Sequence, residues 1–121
     1  MTPGHNVSIV PSDAHVEVRL AGEVLAASDG AAVLHETGLP PRYYLPRADV
    51  RMDRLRHTSF HTTCPFKGEA SYWSIDTDGQ THDGVAWSYE SPLPAAAGIA
   101  GMLSFYPDRT EVSVDGEPVH A

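Results

Sequence analysis

The sequence predicts a small, single-domain, all-β fold, a sandwich or barrel of about seven to eight short antiparallel strands with one or two short helical turns. Three observations lead to this prediction. Short segments of alternating polar and apolar residues recur along the chain, turn residues separate them at intervals of about 8–12 residues, and no long amphipathic helix is present. A chain of 121 residues has room for one hydrophobic core.

The first half of the chain contains four predicted elements. Residues 15–20 alternate polar and apolar side chains and residues 23–28 continue after a glycine, which predicts a hairpin. Residues 31–36 are a short apolar run that fits a strand or one helical turn. Residues 38–46 contain three prolines, which exclude a helix and predict an extended chain.

The middle of the chain predicts a short helix and a hairpin. Residues 49–57 are the best helical candidate, with one or two turns and with Asp53 suited to cap a turn. Residues 59–64 and 69–75 are predicted strands, and the turn at residues 65–68 joins them because proline and glycine occupy positions that tight turns prefer.

The last elements are a strand, a helical turn and a hairpin. Residues 84–90 are predicted to form a strand next to 69–75, and residues 95–100 a short helix. Residues 102–106 and 110–114 are predicted to form the final hairpin.

The predicted domain boundaries follow from these elements. Residues 1–13 hold few apolar side chains and predict a loosely ordered N-terminal arm. Residues 14–117 are expected to form the single β domain, and residues 118–121 a C-terminal tail.

Composition excludes several classes of function. The net charge of −8 argues against binding to nucleic acids or anionic membranes, because both require a basic surface. No run approaches the roughly 20 apolar residues that cross a bilayer, and the N-terminus lacks the pattern of a signal peptide. We therefore expect a cytoplasmic protein with neither nucleic-acid nor membrane partners.

Metal and disulfide sites are also not expected. One cysteine allows neither an internal disulfide nor a Cys-x-x-Cys zinc motif. The seven histidines show no constellation with carboxylates that is typical of zinc sites. The sequence predicts no metal and no cofactor.

The only cysteine and the only lysine, Cys64 and Lys67, lie three residues apart at the predicted hairpin tip. An ammonium group stabilises a neighbouring thiolate, so Cys64 is either a buried apolar thiol or an activated nucleophile. Lys67 is either a solvent-facing turn residue or a group that binds an anion or forms an imine. Glu36 is either a turn carboxylate or the acid or base of a pocket.

Residues 42–67 carry six basic residues against Asp49 and Asp53, a local charge of +4 on an acidic protein. Two interpretations stay open. The arginines are paired with acidic residues elsewhere on the surface, or they form a local anion site in which Arg42 binds carboxylate or phosphate.

Aromatic residues suggest a pocket or a core. Trp73 and Trp87 are expected on neighbouring strands, and Tyr43 and Tyr44 lie on the proline-rich segment. Together with Tyr89 they either fill the core or wall a pocket that stacks a flat or cationic ligand.

The chain resembles the domain of unknown function 427 family over roughly residues 14–117. Five blocks in the family's order carry the resemblance: residues 40–46, 49–50, 62–74, 86–89 and 99–107. The family has no established activity, and the resemblance implies a β-tent fold of the kind found in Mss4-like proteins. Zinc binding by paired cysteines in that group does not transfer to a chain with one cysteine. The positions that match the family pattern are Glu36, Tyr43, Tyr44, Cys64, Lys67, Trp73 and Trp87.

The function predicted is the binding of a small anionic or aromatic molecule in a pocket walled by Trp73, Trp87, Tyr44 and the 64–67 hairpin tip. One alternative is a small enzyme with Cys64 or Lys67 as nucleophile and Glu36 as acid or base. Binding is favoured because His61, the nearest base, is expected on the face opposite to the thiol. A second alternative is a structural or oligomerising domain, with a homo-oligomer as its product.

Overall fold

A computed structural model describes residues 6–119, which form two antiparallel sheets. The strands are β1 (Val7–Pro11), β2 (Val16–Leu20), β3 (Glu23–Ser28), β4 (Ala32–Glu36), β5 (Arg42–Leu45), β6 (Arg56–Cys64), β7 (Gly68–Thr77), β8 (Gln80–Ser88), β9 (Leu103–Phe105), β10 (Glu111–Val114) and β11 (Glu117–Pro118). A seven-stranded sheet has the order β1-β4-β5-β9-β8-β7-β6, and a four-stranded sheet has the order β11-β10-β2-β3. The all-β prediction is confirmed.

The strand count and the closure of the fold differ from the prediction. The described residues form eleven strands rather than seven or eight, and the large sheet ends at β1 and β6 without closing into a barrel. Two of the additional strands, β5 and β11, are short, and β5 comes from the proline-rich segment. The third, β1, pairs with β4 along its whole length, within the arm predicted to be loosely ordered. Residues 1–5 of that arm and 120–121 of the tail lie outside the described residues.

Three short 3-10 helices are present among the described residues. Arg47–Asp49 and Met52–Arg54 replace the helix predicted at residues 49–57, and Asp53 makes no capping hydrogen bond. Val50 separates them in an extended conformation that bridges to β3, so the backbone between them is committed to a sheet contact. The third, Pro94–Ile99, corresponds to the predicted helix at residues 95–100.

The main core lies between the two sheets. The small sheet contributes Val16, Val18, Leu25 and Val112, all of them buried. The large sheet faces them with buried residues from four strands: Leu45, Trp73, Ile75, Val85, Ala86, Leu103 and Phe105. Burial of this apolar area drives the two sheets together.

A second buried cluster lies on the outer face of the large sheet. It includes Tyr44 and Trp87 on the strands, and the 3-10 helix Pro94–Ile99 adds Ala96 and Ile99. The large sheet is therefore covered on one face by the small sheet, and only partly covered on the other. The uncovered part of that outer face holds the cavity described next.

Candidate functional site

A cavity of about 170 Å³ opens on the outer face of the large sheet. Its lining comes from β4, β5, β7 and β8, from the β4–β5 loop and from the chain that follows β8 and β9. The lining residues are the charged Glu36, Arg42 and Lys67, the aromatic Tyr44, Tyr72, Trp87, Tyr89 and Tyr106, and the apolar Leu34, Leu39 and Pro40. Residues from across the sequence thus converge because these four strands and the segments next to them present one face, with Lys67 coming from the β6–β7 turn.

A nearly buried ion pair occupies one side of the cavity. The Lys67 ammonium donates a hydrogen bond to a carboxylate oxygen of Glu36, and the two side chains are only 12% and 5% exposed. Lys67 Nζ also lies 5.7 Å from the centre of the Tyr89 ring, within the range of a cation–π contact. The hairpin turn between β6 and β7 brings the lysine to this position.

The aromatic wall is built around Trp87. Its indole Nε1 donates a buried hydrogen bond of 2.9 Å to the hydroxyl of Tyr44, and the two rings meet edge to face. On its other side, the Trp87 ring lies 4.3 Å from the ring of Tyr106. The hydrogen bond and the close packing hold the indole in one orientation.

Arg42 lies over this wall. Its guanidinium carbon is 5.5 Å from the centre of the Trp87 ring and 5.8 Å from that of Tyr106. Among residues 6–119 no carboxylate forms an ion pair with it, although the other basic residues of the 42–67 segment all have one. The guanidinium donors are therefore available to a ligand at the cavity.

Three phenols of the site, those of Tyr44, Tyr89 and Tyr106, stay neutral at ordinary pH. Burial raises the pKa of Tyr44 and of Tyr89 above the ordinary tyrosine value. Burial, and to a smaller extent a hydrogen bond with Tyr72, raise the pKa of Tyr106 to about 12. These hydroxyls therefore act as uncharged hydrogen-bonding groups, and the formal charge of the lining comes from two cations and one carboxylate, a net +1.

The structure separates two predicted site residues from the others. Trp73 pairs with Ala86, whereas Trp87 pairs with Tyr72, so the two tryptophans lie on opposite faces of the sheet. Trp73 is buried in the core between the sheets and does not line the cavity. Tyr43 likewise packs against that inner core, while its neighbour Tyr44 faces outward. The predicted pocket wall of two tryptophans is wrong.

Cys64 lies beside the site without lining it. The thiol is partly buried and packs against the outer cluster at the end of β6. His61 pairs with Ser71 and Cys64 with Gly68, which places the imidazole and the thiol on opposite faces of the strand. The Lys67 ammonium, which would activate the thiol if Cys64 were a nucleophile, binds Glu36.

The basic segment is largely neutralised by pairing. Arg47 donates to both carboxylate oxygens of Glu90 at 2.8 Å, and the remaining pairs are Arg51 with Asp53, Arg54 with Glu23, Arg56 with Asp76 and Lys67 with Glu36. Of the basic residues in the 42–67 segment, only Arg42 is therefore left as a candidate for binding an anion.

Sequence reasoning missed Tyr106 as a site residue. It follows β9 directly, and Phe105 before it points into the inner core, so alternation along the strand places Tyr106 on the outer face. That signal is present in the sequence, but only knowledge of the strand order shows that β9 lies between β5 and β8, beside Arg42 and Trp87.

The fold and the site define an all-β, two-sheet domain with an aromatic and cationic cavity on its outer face. The chain belongs to a family described as a domain of unknown function (DUF427), whose model matches residues 8–116. No curated protein matches the chain. The family therefore identifies the domain without assigning a reaction.

Two further findings concern residues 6–119. No helix there is long and apolar enough to span a membrane. That range also contains no group of three or more histidine, cysteine, aspartate or glutamate residues that could hold a metal ion.

Proposed function

We propose that this domain binds a small molecule bearing a carboxylate or phosphate group in the outer-face cavity, without covalent chemistry. The observation that carries the proposal is the guanidinium of Arg42, held over Trp87 and Tyr106 at the cavity with no carboxylate partner among residues 6–119. The fold relation to the β-tent group and the cytoplasmic location expected from the sequence stay predictions.

The chemistry of Arg42 suits an oxyanion. Guanidinium groups present parallel N–H donors that match the two oxygens of a carboxylate or phosphate. The aromatic faces beneath it orient the group, and the partly closed surroundings strengthen its attraction to an anion relative to open water. The one carboxylate of the lining, Glu36, is already compensated by Lys67, so it opposes anion binding only weakly.

The size of the cavity limits the bound group. About 170 Å³ is less than the roughly 300–1,000 Å³ of pockets that enclose drug-sized ligands. The cavity therefore suits the anionic end of a molecule or a small ring compound.

The two tryptophans provide an internal test. In ¹⁵N-labelled protein titrated with inorganic phosphate and with benzoate, the indole N–H signal of Trp87 is expected to move while that of Trp73, on the opposite face, stays in place. Trp73→Phe assigns the two signals. Arg42→Gln should abolish the movement, whereas the control Arg51→Gln removes an equal charge from an exposed ion pair and should preserve it. Movement that survives Arg42→Gln would contradict the proposal.

A second candidate function rests on the nearly buried Glu36–Lys67 pair, because buried ionisable pairs in cavities are frequent in catalytic sites. In this alternative the Lys67 ammonium gives a proton to Glu36 and the free amine adds to the carbon of a carbonyl compound. Glu36 then returns the proton to the former carbonyl oxygen, which leaves as water as the imine forms. Since Lys67 is the only lysine, borohydride reduction in the presence of a small aldehyde would label one side chain besides the N-terminus. Labelling confined to the N-terminus, shown by peptide mass spectrometry, would exclude this alternative.

A further inference from the structure

A larger groove of about 500 Å³ adjoins the cavity. Tyr72 and Tyr106 line both spaces and form their common wall. The groove is also lined by Phe60 and Thr62 from the edge strand β6 and by Arg109 from the β9–β10 turn. The two spaces therefore lie side by side on the outer face, separated by the side chains of Tyr72 and Tyr106.

The groove carries an exposed aromatic platform. Phe60 is 61% exposed, the most exposed of the large apolar side chains described, and its ring lies 5.2 Å from that of Tyr72. Tyr72, whose ring plane is tilted by 55° from that of Phe60, is held in place because its hydroxyl bonds Thr62 Oγ1 at 2.8 Å and Thr58 Oγ1 donates to its carbonyl at 3.0 Å. Preorganised rings of this kind stack a flat group at low entropic cost.

The charges of the two spaces differ. The cavity lining has a net charge of +1, whereas the groove lining contains one cation, Arg109, and one carboxylate, Asp83. Arg109 donates to the backbone carbonyl of Asp83 at 2.8 Å and lies 5.3 Å from the centre of the Tyr106 ring. The groove is thus neutral in sum and aromatic, which suits an uncharged ring, and the cavity suits the anion.

We infer that the ligand is an elongated aryl or heteroaryl anion whose charged group binds at Arg42 and whose ring stacks on Phe60 in the groove, beside the tilted ring of Tyr72. This inference rests on the proposed function and extends it to a substrate class. The occupant of the groove is the remainder of the same molecule, because only Tyr72 and Tyr106 separate the two spaces and the cavity is too small to hold both parts.

The test compares two probes: inorganic phosphate, which supplies the anion alone, and 2-naphthyl phosphate, which adds a flat ring. Phe60→Ala is expected to weaken binding of 2-naphthyl phosphate about tenfold, the usual size of a lost stacking contact, and to change phosphate binding less than twofold. The control Val10→Ala trims an exposed apolar residue on β1, at the opposite end of the sheet, and should change neither affinity.

The outcomes separate the two proposals. Equal effects of Phe60→Ala on both probes, or none on 2-naphthyl phosphate, overturn the stacking inference and leave the anion site to be judged by Arg42→Gln. If Arg42→Gln leaves phosphate binding intact, the proposed function fails together with its extension. If Phe60→Ala lowers the mass measured by light scattering and leaves the ratio of affinities unchanged, Phe60 serves a contact between copies of the chain, which also overturns the inference.

Discussion

At the scale of single residues, the Glu36–Lys67 pair is the most consequential feature of the site. Removing two charges from water is costly, and their mutual attraction repays this cost only with good geometry and further hydrogen bonds. The pair is nearly buried and lies against the ring of Tyr89. Such a pair contributes little net stability, but the loss of one member leaves the other charge poorly solvated.

This asymmetry predicts the behaviour of single and double variants. Lys67→Met should lower the free energy of unfolding by about 3 kcal/mol, because the Glu36 carboxylate keeps its burial and loses the ammonium. The double variant Glu36→Leu/Lys67→Met should recover a large part of that loss, since neither charge is then buried. Urea denaturation followed by tryptophan fluorescence measures both values.

The exposed pair Arg51–Asp53 is the matched control, with side chains 55% and 65% exposed. Its double-mutant cycle should yield a much smaller coupling than that of Glu36 and Lys67, because solvent screens an exposed pair. A coupling of the same size for Glu36 and Lys67 would show that burial does not strengthen the pair.

At the scale of elements, the β6–β7 hairpin positions Lys67 through a contact with the segment after β8. Gly68 follows the lysine with a φ of 111°, and a Cβ at that residue would lie 3.3 Å from the backbone nitrogen of Leu93. The same nitrogen donates a hydrogen bond of 2.9 Å to the Lys67 carbonyl. The hairpin tip is therefore fastened to a second loop at a point where only glycine fits.

Gly68→Ala is expected to destabilise the protein by about 2–3 kcal/mol, because it combines an unfavourable φ with a close backbone contact. Gly79→Ala is the control, since Gly79 also has a positive φ but a Cβ there meets nothing within 4 Å. It should cost about 1 kcal/mol. Equal losses in thermal or urea unfolding would mean that the contact with Leu93 has no influence.

The sequence predicted two of the hairpins but not the sheet faces of the two tryptophans. Alternation and turn residues correctly predicted the hairpin of β2 and β3 and that of β6 and β7, because both signals are local. The faces of Trp73 and Trp87 were not predicted, since a register change of one residue reverses the face of a side chain. In the β7–β8 hairpin the pairing moves from Ile75–His82 to Trp73–Ala86, a shift of two residues that preserves the faces, so the register set at the Thr77–Gln80 turn places the two tryptophans on opposite faces.

The candidate site was predicted in part for the same reason. Residue chemistry identified Glu36, Arg42 and Lys67 as charged candidates, and the structure brings all three to one cavity. Which arginine of the 42–67 segment lacks a carboxylate partner depends on pairs between distant residues, such as Arg54 with Glu23. Such pairs are determined by the packing of the two sheets and are not encoded in local spacing.

At the scale of the whole molecule, ion pairs on the surface of this protein, whose net charge is −8, shift the pKa values of their members. Hydrogen bonds from Arg54, Arg51 and Arg56 lower the pKa of Glu23, Asp53 and Asp76, respectively, below their ordinary values. At His15 the effect is opposite, because a hydrogen bond with Asp29 raises the pKa of the imidazole. The folded state therefore favours the charged forms of all these groups.

These shifts predict the dependence of stability on pH. A carboxylate whose pKa is lowered by folding contributes stability above its ordinary pKa, about 4, and this contribution disappears as the pH falls through the folded value. The contribution of His15 is complete below its ordinary pKa of about 6.5 and disappears as the pH rises through the higher folded value. The free energy of unfolding should therefore be highest near pH 5, fall steeply below about pH 4 and decline slightly above pH 6.5.

Urea titrations across this range measure the profile, and a variant tests its origin. In Glu23→Gln/Asp53→Asn/Asp76→Asn, the acid limb should be shallower than in the wild type, because three groups that bind protons more weakly in the folded state are gone. High salt should also flatten the wild-type limb, since the pairs are exposed and screened. An acid limb that is unchanged in the variant would assign acid sensitivity to other carboxylates, with the nearly buried Glu36 first among them.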